Sequence, residues 1–351
     1  MTTISNIVLD NKILDPLAEV ENRLPTFAAK LKLTHHSPTQ TLMSDGPYIY
    51  KYIFCDQAKR RTFDGNAQMA AGVAVNNALQ WHYADLLWKL NSKNKLELSA
   101  HIKLQKDIAV KKALDEFRLY KPVNDKDQLK KDQYLNSIPN TIDMAFQAIG
   151  KLGVADLSPT ICENHVTIKG DVCYLFLDII GRSDFEFGNF GIKSFPLGFS
   201  RANPCPKGSF LLELKTVWSR VGKLKKDGSY SFVMSKAPAA PSINHLIQVS
   251  FYAAAYDYKI PVKLLYVTEQ DYSLFDENNC NHLKPEGLKK NFQYIINAAR
   301  RREKLFVRYQ DLPIDEIKKN LIQDVDPMFD HPFYWNIGHT FVEEAKRLWN
   351  V

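Results

Sequence analysis

The sequence predicts a mixed α/β (α+β) fold, a central mixed β-sheet flanked by helices, and three observations predict it. Helical spacing of small and apolar residues runs through residues 69–90 and returns at 140–154. The period then shortens: HVTIKG, CYLFLDIIGRSDFEF, SFLLELKTVWS and SYSFVMS are rich in β-branched and aromatic residues and are separated by Gly, Pro, Asn and Asp. After PAAPSINHLIQVSFYAAAYDY restores helical spacing, VKLLYVTEQ (262–270) reads as a buried strand reached by a helical crossover.

Taken in order, residues 1–35 show no periodicity and read as an irregular N-terminal arm. MAAGVAVNNALQWHYADLLWKL (69–90) reads as one buried helix. Residues 91–135 are charged and read as a surface insertion, with KLQKDIAVKKALDEFRLY an amphipathic helix and KPVNDKDQLKKDQ a solvated connection. NTIDMAFQAIGKLGV (140–154) is a short helix, and the four β-rich segments after it read as a meander of about four strands. Ser242, after the prolines, is placed to cap the helix that carries QVSFY. From 286 onward LKKNFQYIINAARRREKLFVRY, IDEIKKNLIQ and HTFVEEAKRLWNV are helical. The expected organisation is an arm (1–35), a core (36–275) and a helical C-terminal extension (276–351).

Composition sets the outer limits. The 351 residues are 45% hydrophobic, 24% charged and 12% aromatic, an ordinary globular balance. No run of about 18 apolar residues predicts a membrane span, and the opening MTTISNIVLDNKILDPLAEV lacks a basic then apolar secretory pattern, so a cytoplasmic protein without a membrane partner is expected. Cys55, Cys162, Cys173, Cys205 and Cys280 stand singly, which argues against a disulfide framework or a cysteine zinc site. The net charge of +7 leans mildly towards polyanions.

The informative stretch is FLLELKT (210–216), which sets two charges in an apolar run. In a strand, Leu211, Glu213 and Lys215 share one face and Leu212, Leu214 and Thr216 the other. The same acid-x-Lys spacing recurs at Asp10–Lys12, Asp257–Lys259, Glu316–Lys318 and Glu344–Lys346, so the surroundings must decide what it means. Upstream, Asp184 is a second acid in a β-context, after Gly181-Arg182-Ser183. Two facing carboxylates raise each other's pKa, and a hard divalent cation resolves that conflict with oxygen ligands. A lysine beside them can orient a water and hold charge on a phosphate. Gln248 and Tyr252 lie four apart on one face of the following helix, with Asn244 a turn earlier.

GRSD, LLELKT and QVSFY, in this order on strand, strand and helix, resemble the PD-(D/E)XK nuclease superfamily, in particular its RecB-like, Cas4-like and phage exonuclease branch. Its G-x-x-D, E/D-x-K and Q-x-x-x-Y fall on Gly181 and Asp184, Glu213 and Lys215, and Gln248 and Tyr252. HHSPTQTLMSDGPYIYKY (35–52) is similar to an S-P-S opening, and AAGVAVNNALQ (70–80) to a G-x-x-V-H-x-x-L-E helix. The resemblance implies a restriction-endonuclease-like core over roughly residues 35–270. It implies that Asp184, Glu213 and the Leu214 carbonyl hold Mg²⁺ or Mn²⁺, that Lys215 serves the attacking water, and that Gln248 and Tyr252 support the site or the nucleic acid. Two departures stand out: Asn76 where the motif has His, and Gln80 where it has Glu. Asn76, His82, Asp85 and Glu163 remain open as the fourth ligand. No cysteine cluster follows the Q-x-x-x-Y helix, so no iron–sulfur cluster is expected.

Arg182, with Lys223 and Lys225 in the loop after ELKT, are expected phosphate contacts, and Arg300–Arg301–Arg302 with Lys304 is a second basic stretch. The expectation that follows is a metal-dependent DNA exonuclease of the kind phages use in recombination or DNA degradation. A homo-oligomer or a single-strand annealing or recombination partner is compatible with it. The rivals are a nucleic-acid-binding protein that has lost catalysis, which Asn76 favours, and a structure-specific endonuclease.

Overall fold

The computed structural model describes residues 25–55, 66–90, 96–154, 157, 160–188, 208–224, 230–325, 330–332 and 339–350. Its strands are β1 (Leu86–Leu90), β2 (Leu96–Ala100), β3 (Thr160–Ile168), β4 (Ile179–Phe187), β5 (Phe210–Thr216), β6 (Arg220–Leu224), β7 (Tyr230–Val233), β8 (Val262–Val267) and β9 (Tyr272–Phe275). The helices are α1 (Thr26–Leu31), α2 (Pro38–Thr41), α3 (Asp45–Ile49), α4 (Ala67–Tyr83), α5 (Lys106–Arg118), α6 (Asp125–Gly150), α7 (Ile243–Ala255), α8 (Pro285–Tyr309), α9 (Ile314–Asp324) and α10 (His339–Trp349).

Seven strands form one mixed sheet in the order β2-β1-β3-β4-β5-β8-β9. β3, β4 and β5 run antiparallel, and α7 then carries the chain over one face so that β8 lies parallel to β5. Alternation assigns the faces. Leu211, Leu264 and Tyr266 pack under α7 and α8, whereas Leu212, Leu214, Leu265 and Val267 pack against α4 and α6 on the other side. This is the two-faced pattern expected for FLLELKT. On β3 the faces exchange between Cys162, which belongs to the α4–α6 side, and Val166 and Ile168, which belong to the α7 side. The step falls at Glu163, whose φ of 52° is left-handed.

Several segments depart from the expectation. The helix begun at 67 stops at Tyr83, and LLWKL is strand β1, because it pairs with Leu96–Ala100 on one side and with Ile161 and Cys162 on the other. An apolar run this short does not tell helix from strand by itself. KPVNDKDQLKKDQ is not a solvated connection throughout, since α6 begins at Asp125. Asn124 caps it by accepting the Asp127 N–H at 2.9 Å, and Asp127 also accepts the Ala67 N–H that opens α4 at 2.8 Å. Only three strands of the expected meander enter the main sheet; SYSFVMS turns back on Arg220–Leu224 as a separate two-stranded ribbon. The arm contains helix α1, while its residues 1–24 lie outside the described ones. Ser242 does stand at the α7 N-cap, although its side chain makes no capping bond.

A third core joins the two ends of the described chain. Phe27, Ala28, Leu31, Tyr48 and Ile49 pack with Phe306, Ile317, Leu321 and Trp349. Beside it, buried His36 Nε2 meets Glu303 Oε1 at 3.0 Å, and Glu303 also accepts the Phe176 and Leu177 N–H groups at 2.9 and 2.8 Å. Among the described residues, no helix is long and apolar enough to cross a membrane.

Candidate active site

Three elements bring the sequence motifs to one place. β4 and β5 pair at Phe187–Phe210, Glu186–Leu211 and Phe185–Leu212, and the pairing stops one residue short of Asp184 and Glu213. In the opening, the Leu214 N–H donates to Asp184 Oδ2 at 2.8 Å. A strand residue presents its N–H and C=O to the same edge, so the Leu214 carbonyl is also turned towards β4. Glu213 and Lys215 face α7. Lys215 Nζ donates to Glu213 Oε1 at 2.7 Å and to Gln248 Oε1 at 3.1 Å, and Gln248 Nε2 donates to Glu213 Oε1 at 2.8 Å and to the Tyr252 hydroxyl at 3.2 Å. The G-x-x-D glycine makes this approach possible: a Cβ on Gly181 would lie 2.7 Å from a ring carbon of Phe251 and 3.2 Å from Pro38.

The electrostatics are those of too many acids in a dry place. Burial, then the neighbouring Glu213 charge, pushes the Asp184 carboxyl well above the usual carboxylate range, and Lys215 only partly offsets this. Burial likewise raises Glu213 against the pull of Lys215. Burial acts to neutralise Lys215, but Glu213 and Asp184 outweigh it and hold the ammonium charged. Glu213 is 3% exposed, and its Oε2 has no hydrogen-bond partner among the described residues. A buried acceptor left without a donor is costly, and a divalent cation with oxygen ligands is what such a pair would hold. Asp184, Glu213 and the Leu214 carbonyl edge fit Mg²⁺ or Mn²⁺ on that ground.

The four open candidates for a further ligand separate. Asn76 Nδ2 and Gln80 Nε2, one turn apart on α4, donate to Glu163 Oε1 at 3.2 and 2.7 Å, and the charge on Glu163 acts on both Asp184 and Glu213. His82 instead meets the Leu104 carbonyl at 3.0 Å and packs edge-on against Phe146. Asp85 accepts the Thr160 N–H at 2.7 Å and pairs with Lys103 at 2.9 Å. Asn76 and Glu163 are therefore at the site, and His82 and Asp85 are engaged elsewhere. Among the described residues, no three His, Cys, Asp or Glu side chains are set as they stand to hold a metal ion.

The expected phosphate contacts are less concentrated. Tyr252 is buried beside Gln248, and burial with the Glu213 charge raises its phenol well above normal. Arg182 is exposed and reaches Glu163 Oε2 at 3.3 Å. Lys223 is exposed on β6, and Lys225 lies outside the described residues. The arginine stretch is structural: buried Arg302 donates to Asp45 Oδ1 at 2.9 Å, to the Gln40 carbonyl at 2.8 Å and to the Met43 carbonyl, while Arg301 takes Asp45 at 2.8 and 3.0 Å. His245, three residues before Gln248, escaped the sequence reading. It meets the Tyr266 hydroxyl at 2.7 Å, and burial followed by the Lys215 charge lowers its pKa to about 4. Its place on the Gln248 stripe of α7 was the available signal.

No protein-family model matches the chain, and no curated protein matches it. A solved structure described as "Crystal structure of SSO0001" aligns at 14% identity and a TM-score of 0.27, over 62% of this chain and 93% of that one. A likeness that loose carries no argument about fold or activity.

Proposed function

We propose that this protein is a metal-dependent nuclease that hydrolyses phosphodiester bonds in DNA, with a PD-(D/E)XK-type core and exonuclease action. The observation that carries the reading is the convergence of Asp184, Glu213, Lys215 and Gln248 from β4, β5 and α7, with the half-buried Asp184 and the buried Glu213 compensated by one lysine. Order along the chain supports it as well, since the three resembled motifs follow one another on strand, strand and helix.

When bound, Mg²⁺ or Mn²⁺ between Asp184 and Glu213 supplies a Lewis acid that polarises the scissile phosphate and lowers the pKa of the attacking water. The Lys215 ammonium, held charged at 2.7 Å from Glu213, orients that water and meets the negative charge that develops on phosphate. Gln248 fixes both Lys215 and Glu213 through its two amide atoms, so the pair keeps its geometry without a second charge. The Leu214 N–H aims Asp184. Arg182 and Lys223, both exposed, are available to phosphates along the strand.

The test uses end-labelled linear and closed circular DNA with Mg²⁺ or Mn²⁺, then with chelator, beside Lys215→Ala. Loss of the linear substrate alone, abolished by chelator and reduced at least about a hundredfold in the variant, is expected. Cleavage of the circle as well would point to an endonuclease of the same chemistry. Binding without cleavage under either metal would overturn the enzyme reading and leave a nucleic-acid-binding protein of this fold, the alternative favoured by Asn76 in the histidine position.

A further inference from the structure

We infer that Glu163 is a third carboxylate of the metal site, placed there by Asn76 and Gln80, which act as positioning residues. This rests on the nuclease reading and extends it to a residue that the resembled motifs do not contain. Four observations carry it.

The first is register. Cys162 pairs with Phe185 and Asn164 with Ser183, so Glu163 stands opposite Asp184 at the point where the two strands exchange faces. The second is backbone. Glu163 has φ 52° in the middle of a strand, a conformation that a residue with a Cβ adopts at a cost and that gathers at functional sites.

The third is the nature of its partners. Two side-chain amides hold Glu163 Oε1 from α4, at 3.2 and 2.7 Å, and neither brings a positive charge. They aim the carboxylate and leave its charge unspent. Among the described residues, the cation in ion-pair contact with it is Arg182, which is exposed and lies 3.3 Å from Oε2; such pairs are weak and are easily given up. The fourth is acceptors without donors. Asn76 Oδ1 and Glu213 Oε2 are both buried with no hydrogen-bond partner among the described residues.

Among the described residues, Glu163, Asp184 and Glu213 face the ammonium of Lys215 and, at Glu163 Oε2, the exposed guanidinium of Arg182; once Arg182 is given up the excess is two negative charges, which a divalent ion matches. Asn76 is accordingly no failed histidine. Its amide orients a carboxylate that does the ligand's work, with Glu163 turning from Arg182 to the ion.

The experiment is a Mn²⁺ titration of the full chain, followed by the electron paramagnetic resonance signal of free Mn²⁺. It compares wild type, Glu213→Gln, Glu163→Gln, Glu163→Asp and Asn76→Ala, with thermal melts in chelator to check that each folds. Binding by wild type, its loss in Glu213→Gln, and a weakening of about tenfold or more in Glu163→Gln and Asn76→Ala are expected. Wild-type affinity in those two variants, with binding still lost in Glu213→Gln, would make Glu163 a bracket between α4 and β3 and leave the nuclease reading intact. No binding by wild type would sink both. If Glu163→Gln does not fold, Glu163→Asp decides: its shorter reach weakens binding if Glu163 is a ligand, and unchanged affinity overturns the proposal.

Discussion

Lys215 keeps its proton because Glu213 and Asp184 flank it, and its charge reaches His245 as well. His245 is neutral in the folded protein, with a pKa of about 4 against 6.5 for an unburied histidine. Between pH 6.5 and 4 the unfolded chain therefore binds a proton that the folded one refuses. The stability this provides is complete above 6.5 and drains away as pH falls through that window. Thermal melts from pH 7 to 4 should show a shallower decline for His245→Gln than for wild type; an identical slope would refute the assignment. His165, lowered to about 4 by burial and Arg182, keeps the variant's slope from vanishing. At this scale the sequence made Asp184, Glu213, Lys215 and Gln248 legible, because strand alternation and helix periodicity put like-facing residues at fixed spacings. It named Glu163 as one of four open candidates but could not choose it, because its partners Asn76 and Gln80 are 87 and 83 positions away. A left-handed residue inside ENH has no spacing signature.

Among the elements, the contact between β4 and α7 sets the site most directly, and Gly181 is its tightest point. Phe251 is 0% exposed and cannot swing aside, so the methyl of Gly181→Ala forces α7 outward and carries Gln248 with it. A loss of about 1–3 kcal/mol in urea unfolding is expected, with partial rescue in Gly181→Ala/Phe251→Leu; additive costs in the double variant would show that the two positions do not meet. The sheet's centre was readable for the same physical reason as the site, since β3 alternates along much of its length and β5 and β8 are mostly apolar, with Leu, Val and aromatic residues. Its edges were not. β1 is a five-residue, mostly apolar stretch broken by Lys89 that follows a helix closely, and β9 is a four-residue strand that gains its identity from pairing with Leu264–Val267. The first half of α6 is masked by lysines and aspartates, and only its Asn124 cap betrays a helix start.

Across the whole molecule, Arg302 joins segments more than 250 positions apart. Its guanidinium is fully buried, lies 4.0 Å from the Tyr48 ring centroid, and serves Asp45 and two backbone carbonyls. Arg302→Met strands those acceptors and should cost about 3–5 kcal/mol in chemical unfolding. Arg302→Lys should recover little of it, because a point charge does not reproduce the planar fork; full recovery by lysine would show that charge alone holds the contact. The core beside Arg302 also orders events in time. Phe27, Tyr48 and Ile49 share their core with Phe306, Ile317, Leu321 and Trp349 of α8 to α10, so during synthesis they leave the ribosome about 250 residues ahead of Phe306. At roughly 5–20 residues per second, that is a wait of about 10–50 s. For that interval the nascent chain carries an incompletely buried aromatic cluster, a natural holding site for a chaperone, and the sheet bearing the acids can assemble before the two ends of the fold close.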